Sequence, residues 1–231
     1  MNISSAIFDC SAPDLAACPD ESLPEFAFIG RSNVGKSSLL NTLAGVERLA
    51  RVSPTPGFTK LINIFTMNKT WRLVDLPGYG FAEGAKQASA RFNQAVARYL
   101  KHRTNLCLVF ALIDSGLEPQ DIDVEFVGWL ARHGVPFVLV FTKTDKVPPA
   151  TVTANIAAFM ASIAAWFVQP PAVFTCSATA EQGRQDLLGV IDEALVAIQA
   201  EAKQAAILTG DPLVPKAKEA RPKRPNPARP W

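Results

Sequence analysis

Histidine is nearly absent from this chain. Its 231 residues hold two, His102 and His133, beside four scattered cysteines, Cys10, Cys18, Cys107 and Cys176, with no C-x-x-C pair. A zinc site needs several imidazole or thiolate ligands at close spacing, so candidates for one are few. The thiols read as reduced cysteines of a cytosolic protein rather than as a disulfide framework. A basic start before an apolar run is also missing, with Asp9 and Asp14 near the beginning, so no signal peptide is expected. Long apolar runs are lacking too: the most apolar helix candidate, Ile156 to Val168, is shorter than the roughly 20 residues a bilayer requires. The expectation is a soluble cytoplasmic protein without a membrane partner, a monomer by default.

Charge is sparse at 19% against 48% hydrophobic residues, a globular balance that excludes a disordered chain as a whole. The net charge of +2 is unevenly spread. Asp211 to Trp231 carries six cations and two anions, leaving the other 210 residues at −2. Beyond Gly210 six prolines join those charges and end regular structure. The expected organisation is an extension over 1–24, one nucleotide-binding domain over 25–205 and a disordered Pro/Lys/Arg-rich tail over 206–231.

What is present is an alternation of short apolar runs and amphipathic segments. Phe26 to Ile29, Leu106 to Ile113, Phe137 to Phe141 and Ala172 to Thr175 read as strands buried on both faces. Leu61 to Phe65 and Trp71 to Val74 flank Met67-Asn68-Lys69 as a hairpin. Helical faces are marked by Phe92, Val96, Tyr99 and Leu100; by Ile122, Phe126, Val127 and Leu130; by Ile156, Phe159, Ile163 and Trp166; and by Leu187, Ile191, Leu195 and Ile198. Strands alternating with helices predict an α/β fold: a mostly parallel sheet covered on both faces, with one antiparallel edge strand from the hairpin.

The chemistry is concentrated in four loops that follow strands. Gly30-Arg31-Ser32-Asn33-Val34-Gly35-Lys36-Ser37 matches G-x-x-x-x-G-K-[ST] between a strand and a helix, a phosphate-binding loop. Its glycines let backbone N–H groups wrap phosphate oxygens, and the helix adds its positive N-terminus. Lys36 reaches the β- and γ-phosphates and the Ser37 hydroxyl ligates Mg²⁺. Asp75-Leu76-Pro77-Gly78 follows the next strand; Asp75 suits a Mg²⁺-bound water and the Gly78 N–H the γ-phosphate. Thr142-Lys143-Thr144-Asp145 decides the base, because the Asp145 carboxylate can accept from N1–H and the exocyclic amine of guanine. Adenine has neither group there and would strand the carboxylate, a mismatch worth factors of about 10⁴. Cys176-Ser177-Ala178 follows the last strand, where its amides can meet guanine O6. In Thr55-Pro56-Gly57-Phe58-Thr59 the second protein ligand of Mg²⁺ is assigned to Thr59, with Thr55 the competitor. A P-loop ATPase or small-molecule kinase accounts for residues 30–37 and Asp75 but leaves 142–145 without a purpose.

With these motifs in view the sequence resembles the translation-factor-related GTPases, and within them the EngB (YihA/YsxC) family. The shared features are Gly-Arg-Ser-Asn-Val-Gly-Lys-Ser-Ser at 30–38, Thr-Pro-Gly-Phe-Thr at 55–59, Leu-Ile-Asn-Ile-Phe at 61–65, Asp-Leu-Pro-Gly-Tyr-Gly at 75–80 and Thr-Lys-Thr-Asp at 142–145. The resemblance implies a Ras-like G domain, Mg²⁺-dependent GTP hydrolysis and GTP/GDP as ligands. It also implies a bacterial role in assembling the large ribosomal subunit, with division and septation affected when the protein is lost. It extends the nucleotide site to Gly57, Phe58, Thr59, Lys60 and Leu61. Phe58 stands where family members carry a basic residue, and Thr142 replaces the asparagine of most GTPases, as EngB proteins do. Related GTPases with asparagine at position 33 bind K⁺ through it; the alternative is that Asn33 only braces the loop. Tyr79 takes the place of the glutamine that orients water in many GTPases, so slow intrinsic hydrolysis is expected. The tail is expected to reach rRNA or the ribosome surface, against the reading of a solvated extension. The rival role is a scaffold at the division site with incidental hydrolysis.

Overall fold

The computed structural model describes residues 1–45, 49, 61–79 and 86–209, with the side chains of 86–93 and 205–209 left aside. Seven strands form one sheet: β1 (Ala6–Ala12), β2 (Glu25–Gly30), β3 (Ile62–Met67), β4 (Trp71–Asp75), β5 (Leu106–Asp114), β6 (Phe137–Thr142) and β7 (Val173–Thr175). Their order is β1-β3-β4-β2-β5-β6-β7. Among the described residues five α-helices connect or flank them: α1 (Lys36–Ala44), α2 (Lys86–His102), α3 (Asp121–Arg132), α4 (Pro149–Ile163) and α5 (Arg184–Thr209).

Side-chain alternation on β2 shows how the two layers are specified. Phe26 and Phe28 face α1 and α5, where Leu39, Leu40, Leu43, Leu187 and Ile191 cover them. Ala27 and Ile29 face α2, α3 and α4, with Tyr99, Val127, Leu130, Phe159 and Ile163. With both faces covered, every residue of β2 is buried, which explains its unbroken apolar run. Truncating any one of these leucines to alanine costs about 2–5 kcal/mol.

The hairpin forms as expected, and Asn68 and Lys69 take the left-handed turn geometry (φ 50° and 57°) that its twist demands. The reversed strand β3 is not at the sheet edge, however. Residues 6–12 of the N-terminal segment pair antiparallel along it, so β1 is the edge and the segment completes the sheet. That pairing satisfies the outer hydrogen-bonding groups of β3, a demand no alternation within β1 reveals. α4 starts at Pro149, earlier than the apolar face marks. With the following 3₁₀ turn, Pro149–Trp166 reaches 18 residues at mean hydropathy 1.2, so by length and composition it is not too short to span a bilayer. Its inner face lies in the domain core, with Phe159 edge-on to Phe141 at 5.7 Å. α5 runs to Thr209, past the boundary set at 205, since Ala205-Ala206-Ile207-Leu208 favours helix until Gly210 and Pro212 follow.

Opposite the loops, the pole of the sheet is closed by a buried ionic knot. Glu25, fully buried, accepts from Tyr99 Oη at 2.6 Å and from Arg103 Nε and Nη2 at 2.9 and 2.6 Å. Arg103 also donates to the Pro19 carbonyl at 2.8 Å, which ties the N-terminal segment to α2.

Candidate functional site

β2, β4, β5, β6 and β7 run parallel, so their carboxyl ends share one edge, where ligands collect in open α/β sheets. The first loop leaves β2 at Gly30 and enters α1 at Lys36. Asn33 (φ 64°) and Gly35 (φ 98°) both take the left-handed conformation, which turns the loop back on itself. Asparagine tolerates this left-handed backbone better than most residues with a side chain, which suits it to position 33. Gly35 caps α1 without a side-chain hydrogen bond, so the first-turn N–H groups remain directed at an incoming anion.

Lys36 and Asp75 are both buried, and the Lys36 ammonium meets the Asp75 carboxylate directly. The other Asp75 oxygen accepts from Asn63 Nδ2 at 3.3 Å. Gly78 presses on the first loop: a Cβ there would lie 2.8 Å from the Gly30 carbonyl oxygen, so no larger residue fits. Leu76, buried, donates its N–H to Phe28 O at 3.0 Å, and Pro77 follows it toward Gly78. Ser37 stands in the first turn of α1 and Ser32 in the loop before it. Their hydroxyls, with Asp75, are hard oxygen donors of the kind Mg²⁺ takes. Among the described residues no cluster of three or more His, Cys, Asp and Glu could hold a metal alone. Such a donor set fits an ion that shares its coordination with nucleotide phosphates.

The third and fourth loops are stitched to the first and to each other. Thr142 Oγ1 donates to the Val34 carbonyl at 2.6 Å. Lys143 is left-handed (φ 62°), and its ammonium donates to Asp114 Oδ2 at 2.7 Å, which draws its stem across Gly35. Thr144 donates from N and Oγ1 to the Cys176 carbonyl, each at 3.3 Å. Ser177 Oγ donates to Asp145 Oδ1 at 2.6 Å and accepts from Ala180 N at 3.0 Å, so the last loop aims the carboxylate. That hydrogen bond, aided by Lys146 at 3.0 Å, holds the Asp145 carboxyl below its ordinary range. Ala178 follows Ser177, half-buried in the same loop.

The structure thus brings 30–37, 75–78, 142–145 and 176–178 to one edge. Thr55, Gly57, Phe58, Thr59 and Lys60 lie outside the described residues, and Leu61 is 39% exposed just before β3. Sequence reasoning missed Asn63, Asp114 and Asp123. The third receives Arg31 Nε at 3.1 Å and Tyr79 Oη at 3.0 Å. A polar residue ending a strand was the available signal for Asp114; nothing local marked Asp123.

A family profile described as "50S ribosome-binding GTPase" matches residues 25–143. The chain is 45% identical over 192 residues to the probable GTP-binding protein EngB of Christiangramia forsetii, covering 83% of this chain and 97% of that one. It belongs to the EngB family of GTP-binding proteins. Like other EngB proteins it is therefore a P-loop GTPase that binds guanine nucleotides and hydrolyses GTP. A solved structure of a probable EngB superposes with a TM-score of 0.60 at 24% identity, over 75% of this chain and 99% of that chain. Era in complex with MgGDPNP and a segment of 16S ribosomal RNA gives 0.57 at 20% identity, over 74% of this chain and 56% of that one. These likenesses show the Ras-like fold.

Proposed function

We propose that this EngB-family chain is a Mg²⁺-dependent GTP switch of the cytoplasm that acts on the large ribosomal subunit or its precursors. Through that step it supports normal cell division and septation. The observation that carries the ribosomal reading is the match of residues 25–143 to a family described by 50S binding. Era, a protein of the same fold, is described in complex with ribosomal RNA, which supports it. The basic tail, with six cations over 211–231, adds a phosphate-seeking segment.

In this reading the loop amides of 30–37 and the Lys36 ammonium bind the β- and γ-phosphates once nucleotide separates Lys36 from Asp75. Ser37 and Thr59 hold Mg²⁺, with Asp75 acting through water; the ion supplies charge neutralisation between the phosphates when bound. Gly78 offers its N–H to the γ-phosphate. Asp145 accepts from guanine N1–H and amine, the Lys143 stem lies along the base, and the amides after Cys176 face O6.

Hydrolysis is slow in isolation. Tyr79 has one hydroxyl and it is committed to Asp123 at 3.0 Å, so it orients no water. A ribosomal partner or a K⁺ ion near Asn33 completes the site. Turnover compared in K⁺ and Na⁺ at constant ionic strength separates these, and equal rates exclude the cation.

Co-sedimentation with large-subunit precursors, with a GTP analogue and with GDP, tests the assignment. Retention with the analogue and release with GDP is the expected result. Absence of binding in both states, together with capture by division-site proteins, would transfer the role to a scaffold.

A further inference from the structure

One residue of the phosphate loop and one of the loop after β4 converge on a single carboxylate of α3. Asp123, in the first turn of α3, is 1% exposed. One of its oxygens receives Arg31 Nε from the phosphate loop at 3.1 Å; the other receives Tyr79 Oη at 3.0 Å. Arg31 and Tyr79 are also joined through their backbones by a parallel bridge. The Tyr79 ring is fixed as well, stacked on Phe126 one helical turn along α3 at 4.3 Å. Immediately before it, Gly78 is packed against the Gly30 carbonyl. The loop that must present the Gly78 N–H is therefore held from behind at three points: ring, hydroxyl and backbone.

We propose that Asp123 is a positioning residue for GTP hydrolysis: by holding Tyr79 and Arg31 together it keeps the Gly78 N–H preorganised beside the phosphate loop. The inference rests on the GTPase reading and adds to it a residue outside every nucleotide motif. A buried carboxylate that accepts from a guanidinium and a phenol forms two charge-assisted bonds, stronger than neutral ones. GDP lacks the group that Gly78 addresses, so the clamp matters for GTP and for its hydrolysis, and little for GDP. Preorganised donors at the place where charge develops act without reorganisation during the reaction.

Two conservative variants of the full-length chain separate this from a packing role. Tyr79→Phe keeps the ring on Phe126 and removes only the hydroxyl; Asp123→Asn keeps the shape and removes the charge. GDP and a non-hydrolysable GTP analogue are titrated in a calorimeter with Mg²⁺, and single-turnover hydrolysis is measured. Each variant is expected to hold GDP within about twofold of wild type. Each should lose about tenfold in analogue affinity or in hydrolysis rate, the worth of one hydrogen bond to a buried charge. The double variant should lose no more than the worse single one, because both changes break the same contact. An unchanged analogue-to-GDP affinity ratio with unchanged hydrolysis in Tyr79→Phe overturns the proposal. So does an equal loss for GDP and analogue, which would make Asp123 a brace of the phosphate loop alone. Should Asp123→Asn fail to fold, Tyr79→Phe decides. Wild-type titration comes first, so a failure to bind GTP at all would be charged to the nucleotide assignment and not to the clamp.

Discussion

Thr142 Oγ1 and the Val34 carbonyl are 2.6 Å apart, a hydrogen bond spanning 108 residues that joins the end of β6 to the phosphate loop. The same hydroxyl lies 3.2 Å from the Ile113 carbonyl, so Thr142 links the ends of β5 and β6 to the phosphate loop. Its one proton serves two buried acceptors.

Thr142→Val keeps the shape and removes that proton. It is expected to destabilise the fold by about 1–3 kcal/mol, the cost of leaving a buried carbonyl unsatisfied. Because the phosphate loop loses its tie, GDP and GTP should weaken together. Urea titration and nucleotide calorimetry on the same preparation check both halves; loss of GTP affinity alone would contradict the shared tie.

Glu25 lies at the opposite pole, and its role is stability. Burial pushes the Tyr99 phenol well above its ordinary range. Burial disfavours the Arg103 charge, yet the hydrogen bond and charge of Glu25 hold the guanidinium protonated beyond its usual range. Glu25→Ala removes the buried partner of that cation, leaving it only Glu21 at 3.5 Å, and should cost about 3 kcal/mol. The folded fraction should bind GTP as wild type does, since the loops 30–37, 75–78, 142–145 and 176–178 are at the other end. A melting temperature unchanged by Glu25→Ala would show the knot to be energetically idle.

Two thiols make stability sensitive to alkaline pH. Burial raises Cys18 from 9.0 to about 11 and Cys176 from 9.0 to about 12. Above pH 9 the unfolded chain releases thiol protons that the folded chain retains, so this contribution is complete below 9 and disappears as pH climbs toward 11–12. Unfolding free energy should therefore decline with pH across that window, and less steeply in a Cys18→Ser, Cys176→Ala variant. Chemical denaturation at pH 8, 9 and 10 measures it; parallel curves for the two proteins would refute the assignment.

How much the sequence revealed follows from the range of the interactions. The phosphate loop is a local device, with its strand, glycines and helix start contained in 25–44, and the central strands begin and end within a residue or two of their apolar runs. The hairpin likewise carries its turn residues between its strands. β1 escaped because Ala6–Ala12 has no clean alternation and gains its place only by pairing with β3, 50 or more residues away. Asp123 escaped for a similar reason: its partners lie 44 and 92 residues distant, and among the charges opening α3 it looks like any helix-start acid. Asn63 and Asp114 are likewise defined by what the fold sets opposite them.

The central claim is that Asp145, aimed by Ser177 and ionised at neutral pH, reads guanine. Calorimetric titration of wild type and Asp145→Asn with GDP, ADP and xanthosine diphosphate, each with Mg²⁺, tests it most directly. Wild type should bind GDP and reject ADP by a factor of about 10⁴. Asp145→Asn should lose GDP and gain xanthosine diphosphate, whose base offers an oxygen where guanine has its amine. Equal affinity of the wild type for GDP and ADP, or an Asp145→Asn protein with unaltered preference, would contradict the account.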